Sequence, residues 1–195
     1  MRTEYEATFP NIDKDQMRQR LQGCQAQLVK PEFRQSRCVF DLPRGREIPG
    51  GWLRLRDEGD RVTLTLKVVK QQTIEGQQEL ELQVDNFQLA ETMLGMLGCR
   101  KRAYQENLRE IWTLDEVTVT LDTWPFLEPF VEIEGRCERS VQAAAEKLAL
   151  PYENALFCSI DRLYARQYGI SPEVIQREIP LLMFTCENPI LRFIK

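Results

Sequence analysis

The sequence predicts an α+β fold, a closed antiparallel β-barrel of about eight strands with flanking helices and a helical carboxy-terminal part. Three observations predict it. Apolar and polar residues alternate with period two in segment after segment. The polar positions carry same-sign charge pairs instead of the mixed Thr, Ser, Lys and Gln of a water-facing sheet. Helical spacing is confined to short stretches between strands and to the last third of the chain.

Taken in order, Tyr5, Ala7 and Phe9 share one face of a first strand, and Glu4, Glu6 and Thr8 share the other. Asp13 then caps a helix with Met17 and Leu21 on its apolar side and Gly23 at its end. A strand with weaker alternation runs from about Arg37 to Leu42. The Pro- and Gly-rich stretch from Pro43 to Trp52 is a mobile loop. WLRLR sets Leu53 and Leu55 against Arg54 and Arg56. A hairpin turn at Glu58-Gly59-Asp60 leads into VTLTLK, where Val62, Leu64 and Leu66 oppose Thr63, Thr65 and Lys67. In QELELQV, Glu79, Glu81 and Gln83 oppose Leu80, Leu82 and Val84.

Asn86 opens a second helix through Leu89, Met93 and Leu97 to Gly98. Strands follow at Ala103 to Leu114, at VTVTLD with Asp122 on the polar face, and at FVEIEG with Glu132 and Glu134. Ser140 begins an Ala-rich helix, and Pro151 separates it from another running roughly from Asn154 to Tyr168. Leu148, Leu156, Phe157, Ile160, Leu163 and Tyr164 follow at helical spacing, which predicts packing on the barrel or on the second subunit of a homodimer. No linker divides the chain. A single domain over 1–195 is expected, with barrel strands mainly in 1–136 and packed helices in 139–178.

Composition narrows the chemistry. With 195 residues, 43% hydrophobic and 29% charged, the chain can bury one good core and is not a disordered segment. It has no histidine, which removes imidazole as ligand, base or triad member. Six cysteines occur without a C-x-x-C pair, which argues against zinc and against a disulfide framework and predicts buried, reduced thiols. A net charge of −4 argues against a nucleic-acid partner. The amino-terminal MRTEYEATFP has no apolar run behind its basic residue, and no window approaches the length that spans a bilayer, so a cytoplasmic location away from membranes is expected.

The remaining signal lies in the charge pairs: Glu4 with Glu6, Arg54 with Arg56, Glu79 with Glu81, and Glu132 with Glu134, extended by Lys67, Arg109 and Asp122. Carboxylates at i and i+2 project from one face of a strand, so adjacent strands carrying Glu4/Glu6 and Glu132/Glu134 bring four acids within reach of a hard cation. Arginines at the same spacing on a neighbouring strand offer planar donors to phosphate oxygens, and Lys67 adds a point charge. Solvated outer faces with cross-strand ion pairs, worth at most about 1 kcal/mol each, would account for any one pair. They account poorly for the whole set, because like charges repeated along many strands repel.

These residues resemble the CYTH domains, also called triphosphate tunnel metalloenzymes, which include class IV adenylate cyclases, thiamine triphosphatases and inorganic triphosphatases. Glu4-Tyr5-Glu6-Ala7-Thr8 is similar to the family's ExExK signature, WLRLRDEG with LTLK to its paired-arginine hairpin, and QELELQV to its next strand. YQENLREIW is similar to its arginine-bearing strand and LDTWPFLEPFVEIEG to its closing stretch. The resemblance implies a triphosphate tunnel. Glu4, Glu6, Asp122, Glu132 and Glu134 would be acids for Mg²⁺ or Mn²⁺, Arg37, Arg54, Arg56, Lys67 and Arg109 would contact the triphosphate, and Lys67, Arg109 and Asp122 would serve catalysis. Two residues depart from the pattern: Thr8 stands where the signature has Lys, and Asn107 where many members carry a base.

The closing stretch is most similar to the class IV adenylate cyclase branch, with its Phe before the EIE run. That implies conversion of ATP to cyclic AMP and pyrophosphate. A triphosphatase acting on thiamine triphosphate or inorganic triphosphate, and a module that binds triphosphate without turnover, stand beside it as alternatives. Trp52, Trp112 and Trp124 are expected to pack in the core or barrel wall.

Overall fold

The structure is a computed structural model and describes residues 1–194. Its strands are β1 (Arg2–Pro10), β2 (Gln27–Asp41), β3 (Gly51–Asp57), β4 (Val62–Val69), β5 (Gln77–Val84), β6 (Arg100–Leu114), β7 (Val117–Thr123) and β8 (Phe130–Gly135), with a two-residue β9 (Leu181–Leu182). The helices are α1 (Lys14–Gly23), α2 (Phe87–Met96), α3 (Glu138–Lys147), α4 (Ile160–Tyr168) and α5 (Pro172–Glu178).

Among the described residues the sheet runs β2-β3-β4-β5-β1-β8-β7-β6, and pairing of β2 with β6 closes the ring. All eight barrel strands pair antiparallel, while β9 adds to β6 in parallel. The closing strands are the longest, 15 residues each, and register shifts along their pairing bend them around the barrel. Both exceed the stretches that alternation marked: Gln27 to Ser36 of β2 are held by Glu106 to Thr113 of β6, and Arg100 and Lys101 of β6 by Asp41 and Phe40 of β2, without a regular apolar face of their own.

Period two places one set of side chains in the lumen and the other under the helices. The apolar set faces outward. Helices α1 and α3 cover Ala7, Phe9, Val119 and Ile133 with Met17, Leu21, Val141 and Leu148. Helix α2 covers Cys38, Phe40 and Leu55 with Ala90 and Leu94, and α4 and α5 pack Leu163, Tyr164 and Ile175 on Trp124 and Phe130. Such a barrel wall, apolar outside and charged inside, forces buried charge to find partners within the lumen.

The caps form as read. Asp13 accepts from the N–H groups of Asp15 and Gln16, and Asn86 accepts from that of Leu89, each at 2.9 Å. Between β3 and β4 the turn closes through Glu58 N–H to Arg61 O at 2.9 Å, with Gly59 at φ +84°. Gly50, at φ +70°, lies so close to β4 that a Cβ there would stand 2.1 Å from the Val69 carbonyl oxygen.

Several helical expectations need correction. Helix α2 buries Ala90 and Leu94, whereas Leu89 and Leu97 are 70% and 63% exposed; the small Ala90 lets that side approach the strands, and the bulkier row of Leu89, Met93 and Leu97 is left outside. Helix α3 begins at Glu138, ahead of Ser140. Asn154 to Ser159 does not continue a helix. Leu156 exchanges both backbone hydrogen bonds with Thr8, at 2.9 Å each, and this pairing holds Leu156 and Phe157 extended until α4 begins at Ile160. The cysteines are all free, yet only Cys38 and Cys99 are buried and Cys137 is exposed. Among the described residues no helix is long and apolar enough to cross a membrane.

Candidate functional site

The lumen is a cavity of about 780 Å³. Glu4, Glu6, Arg37, Arg54, Arg56, Lys67, Arg109, Glu132 and Glu134 all line it. Asp122 does not: it is fully buried in the wall beneath Arg109.

The acids come from two adjacent strands, since β1 pairs with β8 with Glu6 opposite Glu134 and Thr8 opposite Glu132. The paired arginines are not on a strand neighbouring β1, contrary to expectation. Strands β4 and β5 intervene, so Arg54 and Arg56 face the acids around the ring. Adjacency around a barrel depends on long-range pairing, which alternation does not encode. The result is a lumen with a base-lined side and an acid-lined side.

On the base-lined side, Arg37 stands opposite Arg56 in the β2–β3 register. Buried Nε atoms of Arg37, Arg54 and Arg56 have no hydrogen-bond partner among the described residues. Burial, and then neighbouring Arg54, pulls the Arg56 guanidinium down to about 9, and burial with Arg56 and Arg54 beside it pulls Arg37 well down. Arginine does not surrender its proton in proteins, so these shifts express a site short of anions. Glu81 lies 3.5 Å from Arg54 and 3.8 Å from Arg56.

Asn107 has a specific task. Its Oδ1 accepts from Arg37 Nη2, and its Nδ2 donates to Asp122 Oδ1 at 2.8 Å. Asp122 also accepts from Arg109 Nε and Nη2 at 2.9 and 2.8 Å, and from Thr120 Oγ1 at 2.8 Å. These four hydrogen bonds occupy the lone-pair positions of the carboxylate. Its geometry is that of a group orienting Arg109, which in turn donates to Glu132 at 2.6 Å. At Thr8, backbone pairing with Leu156 fills the space beside the strand, and the side chain is buried.

On the acid-lined side Lys67 lies 2.9 Å from Glu4 and 3.6 Å from Glu79. Burial raises the Glu4 carboxyl, but Lys67, a hydrogen bond with Glu79 and the charge of Arg54 together hold the group below the usual range. Glu6 has no cation within ion-pair distance among the described residues; burial, then Glu132, pushes it up to about 8. Burial, partly offset by Lys67, pushes Glu79 up to about 7, and burial also raises Glu132 and Glu134. As the side chains stand, no three acids or thiols among the described residues converge on one point. The donor chemistry nevertheless fits a hard divalent cation: oxygen ligands only, with more negative charge than the local lysine and arginine neutralise.

Sequence reading missed other lumen residues. Glu58, read as a turn residue, and Gln35 line the cavity, beside the Glu79 and Glu81 pair that the charge pattern already singles out. Trp112 and Trp124 are buried in core clusters as expected, Trp124 also facing the lumen with the Arg37 guanidinium 4.6 Å from its ring centre, whereas Trp52 is only half-buried and lines the lumen. Trp52 shares a strand face with Arg54 and Arg56, a signal already present in WLRLR. Cys158, Asp161 and Arg162 line the cavity from the start of α4 and the segment leading into it.

A closed eight-stranded barrel with opposed acids and bases inside defines a tunnel-type site. The chain belongs to the CYTH family, whose domain model matches residues 3–162. A conserved hypothetical protein from Pyrococcus furiosus superposes with a TM-score of 0.70 at 22% identity, covering 83% of this chain and 99% of that one. A candidate adenylate cyclase from Vibrio parahaemolyticus gives 0.72 at 16% identity, covering 84% and 98%. A candidate adenylyl cyclase from Hippeastrum with a dominant triphosphatase activity gives 0.58 at 14%, covering 88% and 97%. At these identities the likeness is one of fold. A search of curated proteins gives no match.

Proposed function

We propose that this chain is a divalent-metal-dependent enzyme acting on a nucleoside or organic triphosphate inside the barrel, converting ATP to cyclic AMP and pyrophosphate in the manner of class IV adenylate cyclases. The observation that carries this reading is the division of the lumen: guanidinium groups short of anions face glutamates short of cations. A metal-bound polyanion supplies both. Phe130 ahead of Glu132 and Glu134 supports the cyclase form.

In this reading Arg37, Arg54 and Arg56 bind the phosphate chain, and Arg109, aligned by Asp122 and Asn107, meets the reacting phosphoryl group. Lys67 stands between the two sides and offsets charge on the leaving pyrophosphate. The ribose hydroxyl would attack the α-phosphorus as the bond to pyrophosphate breaks and the hydroxyl proton is lost to solvent or a neighbouring carboxylate. Glu4, Glu6, Glu132 and Glu134 would hold Mg²⁺ or Mn²⁺, whose charge would draw electron density from the phosphate oxygens.

Hydrolysis of thiamine triphosphate or inorganic triphosphate is the second reading. The triphosphatase activity of the Hippeastrum protein, built on the same fold, favours it. Incubation with ATP and with inorganic triphosphate, each with Mg²⁺ or Mn²⁺, separates the two when all phosphate products are resolved beside a Glu134→Gln control. Cyclic AMP with pyrophosphate, lost in the control, supports the cyclase; orthophosphate supports the hydrolase. Metal-dependent binding without product would leave a binding tunnel, and no binding of either compound would reject the reading.

A further inference from the structure

Along the lumen face of β3 the chain presents Trp52, Arg54 and Arg56, and the next position of that row, just past the strand end, is Glu58. Successive members of such a row stand about 7 Å apart. Glu58 belongs to a turn, yet its side chain is only 3% exposed. One carboxylate oxygen lies 2.5 Å from Arg56 Nη2, and the other accepts from Arg61 Nε at 2.8 Å. The turn is fixed from three directions. Glu58 N–H donates to Arg61 O at 2.9 Å, Gly59 N–H donates to Asp57 at 2.8 Å, and Lys30 Nζ donates to Glu58 O at 2.9 Å while gripping Asp60 at 2.7 Å.

We propose that Glu58 is a length stop: an anion built into the end of the base-lined row that limits the polyphosphate the tunnel accepts to a short chain. The inference rests on the triphosphate reading above. Arg37 and Arg56 lie side by side in the register, with Arg54 one step back, so three cations precede Glu58, and Arg61 beside it is already paired with its carboxylate. A phosphate chain seated on them and extended past Arg56 brings its next charged group against the Glu58 carboxylate. Like charges forced together across a binding site weaken binding. Because Lys30 and the turn hydrogen bonds hold Glu58 in place, it does not swing aside as a free surface glutamate would.

Calorimetric titration of the full chain with inorganic tripolyphosphate and with tetrapolyphosphate tests this, in EDTA so that the arginines are read without turnover. The wild type is expected to prefer tripolyphosphate by about tenfold or more. Glu58→Gln, which keeps the shape and removes the charge, and Glu58→Ala are expected to erase that preference while tightening both ligands. Equal wild-type affinities for the two chains, or a preference that survives in the variants, would make Glu58 a plain turn ion pair and overturn the inference. A wild type that binds neither compound, even after Mg²⁺ is restored, would instead bring down the triphosphate reading itself.

Discussion

The base-lined and acid-lined sides of the lumen hold similar densities of charge but differ in how they tolerate it. Crowded glutamates relieve repulsion by taking up protons, and Glu6 and Glu79, pushed up to about 8 and about 7, do so near neutrality. Crowded arginines have no such outlet, and Arg37, Arg54 and Arg56 remain charged with Nε groups unpartnered. One side of the tunnel therefore adjusts its charge to pH, while the other presents a fixed demand for anions. Between them stands Arg109, fully paired with Asp122 and Glu132.

The largest effect is expected where the two sides join. Replacing Arg109 by Met leaves Asp122 and Glu132 without their shared cation, and breaking a buried pair from one side costs about 3–5 kcal/mol. Urea denaturation should show that loss, with catalytic turnover abolished. If stability were unchanged, Arg109 would belong with the ligand-seeking arginines and not with the frame.

On the base-lined side, stability and binding should move in opposite directions. Arg54→Gln removes repulsion from Arg37 and Arg56, so unfolding is expected to be unchanged or slightly harder, while triphosphate affinity falls about tenfold or more through loss of a charge-assisted hydrogen bond. A parallel loss of both would mean that these arginines are chiefly structural.

The pH response sharpens the other half. Glu6 has its ordinary value near 4.5 when unfolded and about 8 when folded, so the folded state holds the extra proton between those values. The Glu6 contribution to the stability of the metal-free protein is fully present below about pH 4.5, falls as pH rises, and is lost by about pH 8. Thermal melts across that window should show the decline, flattened in Glu6→Gln and opposed by added Mg²⁺. A slope identical in the variant would assign the titration elsewhere.

Much of this was legible in the chain. Alternation identified the strands, and because residues at i and i+2 share a face, Glu4 with Glu6 and Arg54 with Arg56 had to point the same way. What alternation cannot say is which strands become neighbours, so the arginines were expected beside the acids, although β4 and β5 lie between. It also cannot separate a helical run from an extended one when partner strands decide: Leu156 and Phe157 carry helical spacing but are claimed by Thr8. Asn107 read as a missing base, and only the folded wall shows it joining Arg37 to Asp122. Glu58 was hidden by its place in a turn, where charge ordinarily signifies solvent.

The paired hydrogen bonds between Thr8 and Leu156 tie the segment leading into α4 to the strand that carries Glu4 and Glu6. Opening that segment in a local unfolding event exposes the Thr8 and Leu156 amides together, so the two should exchange hydrogens as one unit while β8 keeps its hold on the rest of β1. Solvent access to that edge of β1 and the seating of the segment around Leu156 become a single equilibrium, so whatever steadies one steadies the other.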